Sequence, residues 1–355
     1  MRRLLIALSL FLAIPSVSWA WNHTGHMTVV RLAWAELSGD QRKAISDVLA
    51  KHPHYAKYFG EMKTPEGANE SEWNACLASI WSDWLRGFSK AKDEEGKKIY
   101  SYHVGPRHYI NWPFVLPTDM PLYATDDAKE KSFHLGLQRH IKKLKDPMEE
   151  NIIVGLDRAI KELKDPATKD EDRAVALCWL FHLAGDIHQP LHNIGFFSNE
   201  YAQGDEGGNL RYVKHEDLPM PLHRFWDDLP GREESYTAEI FPKSFARAKE
   251  NMDLLSRSAF ARNRYEKEML HTTPRQWSEE SMVLAIRHGY AGGSVPGLRV
   301  MFNQVAKKAH LAPPLPKAYV DEARAVGQRQ IALAGHRLVD LMNDIFPKSA
   351  SVPKK

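Results

Sequence analysis

Hydrophobic residues recur at intervals of three and four along most of the chain, which is the spacing of one face of an α-helix. Residues 26–37 carry such a stripe, and Ser38-Gly39-Asp40 ends this helix and caps the next one. Residues 171–186 form the most apolar predicted helix, which Pro190 ends soon afterwards. The other segments with this pattern are 71–86, 127–145, 148–164, 264–288 and 317–345.

Segments rich in proline and glycine at 102–122, 187–210 and 216–234 separate the predicted helices and are expected to be loops. The strand signal is limited to a short β-hairpin near residues 209–213. No internal repeat or flexible linker divides the sequence. We therefore predict a mainly α protein, in which residues 21–355 form a single compact multi-helix domain with long loops and at most a short β-hairpin.

Residues 1–20 have the features of a secretory signal peptide. Arg2 and Arg3 precede an apolar run at 4–14, and Ser18-Trp19-Ala20 offers small residues at a cleavage site. The alternative is an uncleaved membrane anchor, but a spanning helix requires roughly 20 apolar residues and this run is shorter. We expect cleavage after Ala20 and export to the periplasm or the extracellular space. No later segment is apolar enough to predict a membrane span.

Composition adds two constraints. The formal net charge of +3 falls to +1 once Arg2 and Arg3 are removed. A nearly neutral chain has no general electrostatic attraction for nucleic acid or anionic membrane, so any phosphate site needs local positive charge, which a bound metal would provide. Cys76 and Cys178 are the only cysteines; export is compatible with one disulfide and also with two free buried thiols.

Two His-x-x-x-Asp pairs point to metal binding. His182 and Asp186 lie four residues apart on the predicted apolar helix and therefore share one face, as do His223 and Asp227 further along. An ionised aspartate in apolar surroundings is costly unless it is paired or bound to a cation. Either pair alone could be a surface helix contact, but two pairs with His192 between them favour a site for zinc, which binds imidazole and carboxylate.

Five sequence motifs, taken in order, resemble one known family. The motifs are Trp21-Asn-His-Thr-Gly-His26, Trp81-Ser-Asp83-Trp-Leu-Arg86, His108-Tyr-Ile-Asn111, the segment from His182 to His192, and His223-Arg-Phe-Trp-Asp227. This order is similar to that of the zinc-dependent single-strand-specific nucleases (type I nucleases, with 3′-nucleotidase activity), which are related to zinc-dependent phospholipase C. The resemblance implies the mainly α fold of that superfamily.

The resemblance also implies three zinc ions per chain, with Asp186 shared between two of them. Grouped by ion, the implied ligands are Asp83, His108, His182 and Asp186; Trp21, His26 and Asp186; and His192, His223 and Asp227. Trp21 would bind through its α-amino nitrogen and carbonyl oxygen. Because a free α-amino group has a pKa of about 7.7–8.0, zinc can displace its proton near neutral pH. Cleavage after Ala20 would thus be a step in assembling the site.

The same resemblance implies roles beyond metal binding. Asp186 is expected to be catalytic as the bridging carboxylate of a site that activates water for attack on phosphorus, and Arg86 to stabilise charge on the phosphate oxygens. Tyr109 would stack on a nucleobase, with a core tyrosine as the alternative; a surface salt bridge is the alternative for Arg86. Asn111 stands where well-known fungal and plant members have an aspartate that binds the base edge, so base preference stays open.

We therefore expect a secreted nuclease that hydrolyses single-stranded RNA and DNA to 5′-nucleotides and also acts as a 3′-nucleotidase. Nucleic acids and nucleotides are the expected partners, and a monomer with no obligate protein partner is the expected state. A zinc-dependent phospholipase C acting on phospholipid head groups is the alternative, for which the apolar residues 194–197 are the only short candidate for a lipid-facing loop. The third possibility is a secreted zinc-binding protein without enzymatic activity.

Overall fold

The computed structural model describes residues 21–120, 128–146, 149–233 and 237–348, and it confirms a mainly α fold. The described helices are α1 (His23–Glu36), α2 (Gly39–Leu49), α3 (Glu70–Trp84), α4 (Glu94–Tyr100), α5 (Ala128–Leu144), α6 (Ile152–Lys164), α7 (Asp170–Asp186), α8 (Leu222–Asp227), α9 (Phe241–Leu255), α10 (Pro274–Leu284), α11 (Val305–Lys308) and α12 (Lys317–Ile345). The predicted signal segment 1–20 lies outside the described residues, as do residues 127 and 148, where two of the predicted helices begin.

Helix α7 is the centre of the fold. It is buried on every side from Ala176 to Asp186, as expected of a helix that is apolar all round. Helices α3, α6 and α12 pack against it, and α1 packs against α3, α9 and α12. The core between them includes large side chains such as Trp73, Trp81 and Phe181, each at most 1 % exposed.

Helix boundaries follow from local capping. Asn22 begins α1 by accepting a hydrogen bond from the backbone N–H of Gly25 (3.1 Å), and Asn69 begins α3 in the same way. The prediction of one helix over 264–288 was wrong at its start. Thr273 and Gln276 form a capping box, so that α10 begins at Pro274. Helices α4, α8, α9 and α11 were not predicted, and α8 lies within the segment 216–234 that was expected to be a loop.

The strands are short and tie loops together. Strands β1 (Pro113–Val115) and β2 (Gly195–Phe197) pair in parallel, and β3 (Arg211–His215) lies between β4 (Leu218–Pro221) and β5 (Leu298–Arg299) in an antiparallel sheet. The hairpin predicted near residues 209–213 is present, but it lies further along the chain, since β4 falls in the segment 216–234 that was expected to be a loop. The other strands have two or three residues each, which is too short for an alternating pattern to be recognised.

The described residues show the state of the two cysteines and the character of the helices. Cys76 on α3 and Cys178 on α7 are buried free thiols, not a disulfide. None of the described helices combines the length and the apolar character needed to cross a bilayer.

Candidate metal centre

The nine predicted ligands lie on six separate elements that meet at the carboxyl end of α7. They are carried by the N-terminal end of α1, by α3, α7 and α8, and by two short 3₁₀ turns at Gly105–His108 and Pro190–Asn193. None of the nine is more than 4 % exposed. The parallel pairing of β1 with β2 brings the two 3₁₀ turns together, and the backbone N–H of Ile110 donates to the His192 carbonyl (2.8 Å).

The first group of ligands surrounds Asp186. One oxygen of this carboxylate, Oδ2, lies 3.1 Å from both His108 Nδ1 and His182 Nε2, and the two nitrogens are 2.9 Å apart. Asp83 Oδ1 lies 3.9 and 3.8 Å from the same two nitrogens. Zinc ligands at about 2.0–2.2 Å from the ion are roughly 3.3 Å from one another in tetrahedral geometry. These donor atoms are therefore spaced as ligands of one ion.

The other oxygen of Asp186, Oδ1, lies 3.2 Å from His26 Nε2. Asp186 thus turns one oxygen towards each of two groups, as a bridging carboxylate does. Trp21 is fully buried beside this second group. A Cβ at Gly25 would lie 2.7 Å from Trp21 Cβ, and a Cβ at Gly185 would lie 2.7 Å from His26 Nδ1. Only glycine at these two positions allows the helices to approach Trp21 and His26 so closely.

The third group consists of His192, His223 and Asp227, and its two histidines line a cleft in the surface. Asp227 Oδ1 is 3.9 Å from His192 Nε2, and Asp227 Oδ2 is 3.7 Å from His223 Nε2. Gln189 Nε2 donates a hydrogen bond to Asp227 Oδ1 (2.6 Å), which orients the carboxylate. Gln189 was not among the predicted site residues, because nothing in its local sequence indicates that it contacts Asp227.

Backbone carbonyls orient three of the histidines. Nδ1 of each ring lies 2.6–2.7 Å from a carbonyl oxygen, and the pairs are His182 with Ser79, His192 with His108, and His223 with Gly207. A carbonyl only accepts, so each Nδ1 carries the proton and donates it. The Nε2 lone pair of each ring is then free to bind a metal, which is the arrangement found around metal-bound histidines.

Several atoms of the proposed ligands lack hydrogen bonds from the protein. Burying such polar atoms is costly unless another partner satisfies them. These atoms include Nε2 of His26, His192 and His223, both oxygens of Asp83, and Oδ1 of Asp186. A mixture of imidazole nitrogen and carboxylate oxygen suits zinc, so these residues fit the predicted metal.

The electrostatics of the centre also fit a bound cation. Burial raises the pKa of Asp83, but Arg86 and the neighbouring histidines outweigh it and bring that pKa down to about 2. Burial raises the pKa of Asp227 well above its usual range, so this carboxylate needs a cation to stay ionised. Burial also lowers the pKa of His108 and of His223 to about 3 each, which keeps both rings neutral and able to bind metal.

A cleft of about 150 Å³ opens over the first and third groups. Arg86, Tyr109 and Asn111, the three further residues predicted from the motifs, all line it. Arg86 Nη2 lies 3.2 Å from Asp83 Oδ1. Tyr109 is 42 % exposed, which does not fit the alternative interpretation of a core tyrosine. An exposed aromatic ring and a guanidinium therefore share a cleft with the histidines.

Leu191, Glu206 and Asn209 also line the cleft and were not predicted to do so. Asn209 donates from Nδ2 to the carbonyl of Glu206 (2.8 Å). The only sequence signal for Glu206 is its position in Gly204-Asp-Glu-Gly-Gly-Asn209, where it interrupts a series of glycines.

Comparison with known proteins places these residues in a family context. The family model described as S1/P1 Nuclease matches residues 21–347. Endonuclease 1 of Arabidopsis thaliana is 25 % identical over 353 residues, which cover 97 % of this chain and 93 % of that protein. Endonuclease 3 of the same plant is 29 % identical over 175 residues, which cover 48 % of this chain and 51 % of that protein.

Proposed function

The chain belongs to the S1/P1 nuclease family, and we propose that it is a zinc-dependent nuclease that cleaves single-stranded RNA and DNA to 5′-nucleotides and also removes 3′-phosphate from nucleotides. One observation carries the proposal: histidines from two of the three buried groups line a cleft that also holds Arg86 and the exposed ring of Tyr109. The phosphate of a nucleotide could then contact Arg86 and the bound metal, while its base stacks on Tyr109 in the same cleft.

The nine predicted ligands would hold three zinc ions per chain. Asp186 would be shared by two of the ions, and the Trp21 amine would be one ligand. When bound, zinc supplies positive charge and a water activated for attack near neutral pH. Asp186 holds the two neighbouring groups in register through its two oxygens. Asp227, oriented by Gln189, would hold the third ion with His192 and His223, and that ion would stabilise the leaving oxygen.

Arg86 and Tyr109 would handle the two ends of a nucleotide. The Arg86 guanidinium, fixed by Asp83, would bind the non-bridging phosphate oxygens and stabilise the charge that develops on them. Tyr109 would stack on a base, an interaction worth about 1–3 kcal/mol and tolerant of sequence. Bases in a duplex already stack on their neighbours and cannot use this ring, which would give preference for single strands.

We further propose that the mature chain begins at Trp21 after removal of an exported signal segment and acts as a monomer. The family match starts at residue 21, and Trp21 is buried beside His26. The phospholipase alternative loses its one sequence feature. Ile194 lies just before β2, and residues 195–197 form that strand. Ile194, Phe196 and Phe197 are at most 4 % exposed, so their side chains are not available to contact lipid.

Purified mature protein tests the proposal directly. We expect it to degrade single-stranded DNA faster than duplex of the same sequence, to release phosphate from 3′-AMP, and to carry three zinc ions by elemental analysis. A chelator should abolish both activities and added zinc should restore them. Asp186→Asn should be inactive while remaining folded. Activity that survives the chelator, or an active Asp186→Asn variant, would show that the centre is not the catalyst.

A further inference from the structure

We propose that Glu206 determines base preference, by accepting hydrogen bonds from the donor-bearing edge of the base that stacks on Tyr109, and that it thereby favours guanine over uracil and thymine. This inference rests on the proposed nuclease function. Glu206 lines the same cleft as Tyr109 and Asn111 and is exposed within it. Its carboxylate is not assigned to metal binding, and it forms no hydrogen bond or ion pair with any described residue.

The backbone at Glu206 is strained. Its φ angle is +56°, a left-handed conformation that residues with a Cβ rarely adopt. Gly204, Gly207 and Gly208 in the same loop have φ angles of +87°, +64° and +88°, which glycine adopts without strain. Glycine would also suit position 206. A glutamate that occupies this position at a conformational cost points to a function for its side chain.

Buried contacts hold this loop in place. The Asp205 carboxylate is fully buried and accepts hydrogen bonds from the Tyr290 hydroxyl (2.9 Å to each oxygen) and from the Phe196 backbone N–H (3.0 Å). A Cβ at Gly207 would lie 2.5 Å from the Leu191 carbonyl oxygen, and the Gly207 carbonyl accepts from His223 Nδ1. The loop is therefore anchored on both sides of Glu206, which fixes where its side chain enters the cleft.

A carboxylate is an unexpected group in a phosphate-binding cleft. It would repel a phosphate next to it, so Glu206 must face an uncharged part of the substrate that carries hydrogen-bond donors. The phosphate would lie over the histidine and aspartate groups and Arg86. The exposed ring of Tyr109 lies in the same cleft, so the nearest donors would be those of the base stacked on it.

The chemistry of base edges sets the expected order of preference. An ionised carboxylate only accepts hydrogen bonds and has two oxygens side by side. Guanine presents two adjacent donors, its ring N1–H and its exocyclic amino group, which match both oxygens. Adenine and cytosine present one amino group beside an acceptor, and uracil and thymine present one ring N–H between two carbonyls. Asn111 both donates and accepts, so it does not impose this order by itself.

Steady-state hydrolysis of 3′-GMP, 3′-AMP, 3′-CMP and 3′-UMP tests the inference. We expect the wild type to have a kcat/KM for 3′-GMP on the order of tenfold above that for 3′-UMP, as a good bidentate contact provides. Glu206→Gln and Glu206→Gly should lower the value for 3′-GMP about tenfold, chiefly through KM, with less than a twofold change for 3′-UMP. Their zinc content should equal that of the wild type.

Glu216→Gly is the matched control. Glu216 also has a positive φ angle (+50°), but it lies in the β3–β4 turn and does not line the cleft. The control should relieve the same kind of strain without changing the ratio between bases. A ratio of guanine to uracil activity that is equal in the wild type and in both Glu206 variants would overturn the inference and leave the nuclease function intact. Failure to hydrolyse any of the four nucleotides would overturn the 3′-nucleotidase function and the inference together.

Discussion

Glu233 is expected to be essential for holding the N-terminal end of α1. Its Oε1 accepts hydrogen bonds from the Thr24 backbone N–H (2.9 Å), the Thr24 hydroxyl (2.8 Å) and the Ser244 hydroxyl (2.7 Å), and its Oε2 lies 3.1 Å from His23 Nδ1. All four residues are at most 2 % exposed. The perturbation is Glu233→Ala, which leaves the Thr24 N–H and the Thr24 hydroxyl without their acceptor and the Ser244 hydroxyl with only the Ile240 carbonyl (3.3 Å). Glu233→Gln keeps one acceptor oxygen but removes the charge and replaces the other oxygen by an amide donor.

The expected size of the effect follows from these contacts. An unsatisfied buried donor costs about 1–3 kcal/mol, and the alanine variant leaves both Thr24 donors in that state. We expect Glu233→Ala to lower the free energy of unfolding by about 3–5 kcal/mol, because water entering the space left by the side chain would satisfy some of the donors. At roughly 2 °C per kcal/mol for a large domain, Tm should fall by about 6–10 °C. Glu233→Gln should lose about 1–2 kcal/mol.

Thermal and urea unfolding measure these differences in the free energy of unfolding. Each variant is measured twice, once loaded with zinc and once stripped of metal by chelator. The two unfolding methods should rank the proteins in the same order: wild type, Glu233→Gln, Glu233→Ala. Zinc content of the folded alanine variant should also fall, since Trp21 lies two residues before His23, the first residue of α1 that Glu233 contacts. A Glu233→Ala protein within 1 kcal/mol of the wild type would refute the reasoning that these hydrogen bonds fix the N-terminus.

The remaining predictions concern pH, metal, the mature N-terminus and Tyr109. Burial raises the pKa of Glu233, but its hydrogen bonds and the contact with His23 outweigh burial and lower that pKa. The Glu233 carboxylate therefore stabilises the fold above a pH of about 4.3, and this contribution is lost as the pH falls through the lowered pKa. The difference in free energy of unfolding between the wild type and Glu233→Gln, measured by urea unfolding, should shrink in that range. Chelator should lower Tm by several degrees, because Asp227 would be left buried without a cation; calorimetry checks this. One extra residue before Trp21 should reduce zinc occupancy and activity, whereas Trp21→Phe should mainly lower Tm. Tyr109→Ala should raise KM for single-stranded DNA about tenfold, as loss of one stacked base implies, while Tyr109→Phe should stay within twofold of the wild type.

How far the sequence predicts this site depends on how local each contact is. His182 and Asp186 are four residues apart on one helix, so their convergence follows from helix geometry alone. The helix itself could be recognised because it is uniformly apolar. His26, Asp83 and His108 come from other elements, and only the order of the family motifs brought them into the prediction. Nothing in their own local sequence specifies which ligand they would meet.

Contacts between distant segments were beyond prediction. Glu233 and Thr24 are 209 residues apart, and a lone glutamate in a loop has the same local signal whether it is buried or solvated. Glu206 is a similar case, because its exposure in the cleft depends on Asp205 contacting Tyr290 from 85 positions away. The start of α10 was missed for a different reason: the short 3₁₀ turns before Thr273 carry enough apolar residues to imitate a helical stripe.

The contacts of Asn22 explain why the N-terminus and the third ligand group should assemble together. Its backbone N–H donates to the Asp227 carbonyl (3.1 Å), and its side-chain amide donates to Asp228 Oδ1 (3.2 Å) and to the Gly231 carbonyl (2.6 Å). Asn22 thus joins Trp21 on one side to a ligand of another group on the other. A displaced N-terminus would therefore disturb Asp227 as well as the position of Trp21. Because metal binding and folding are coupled wherever ligands come from separate segments, loss of the Trp21 ligand should weaken binding at the third group too.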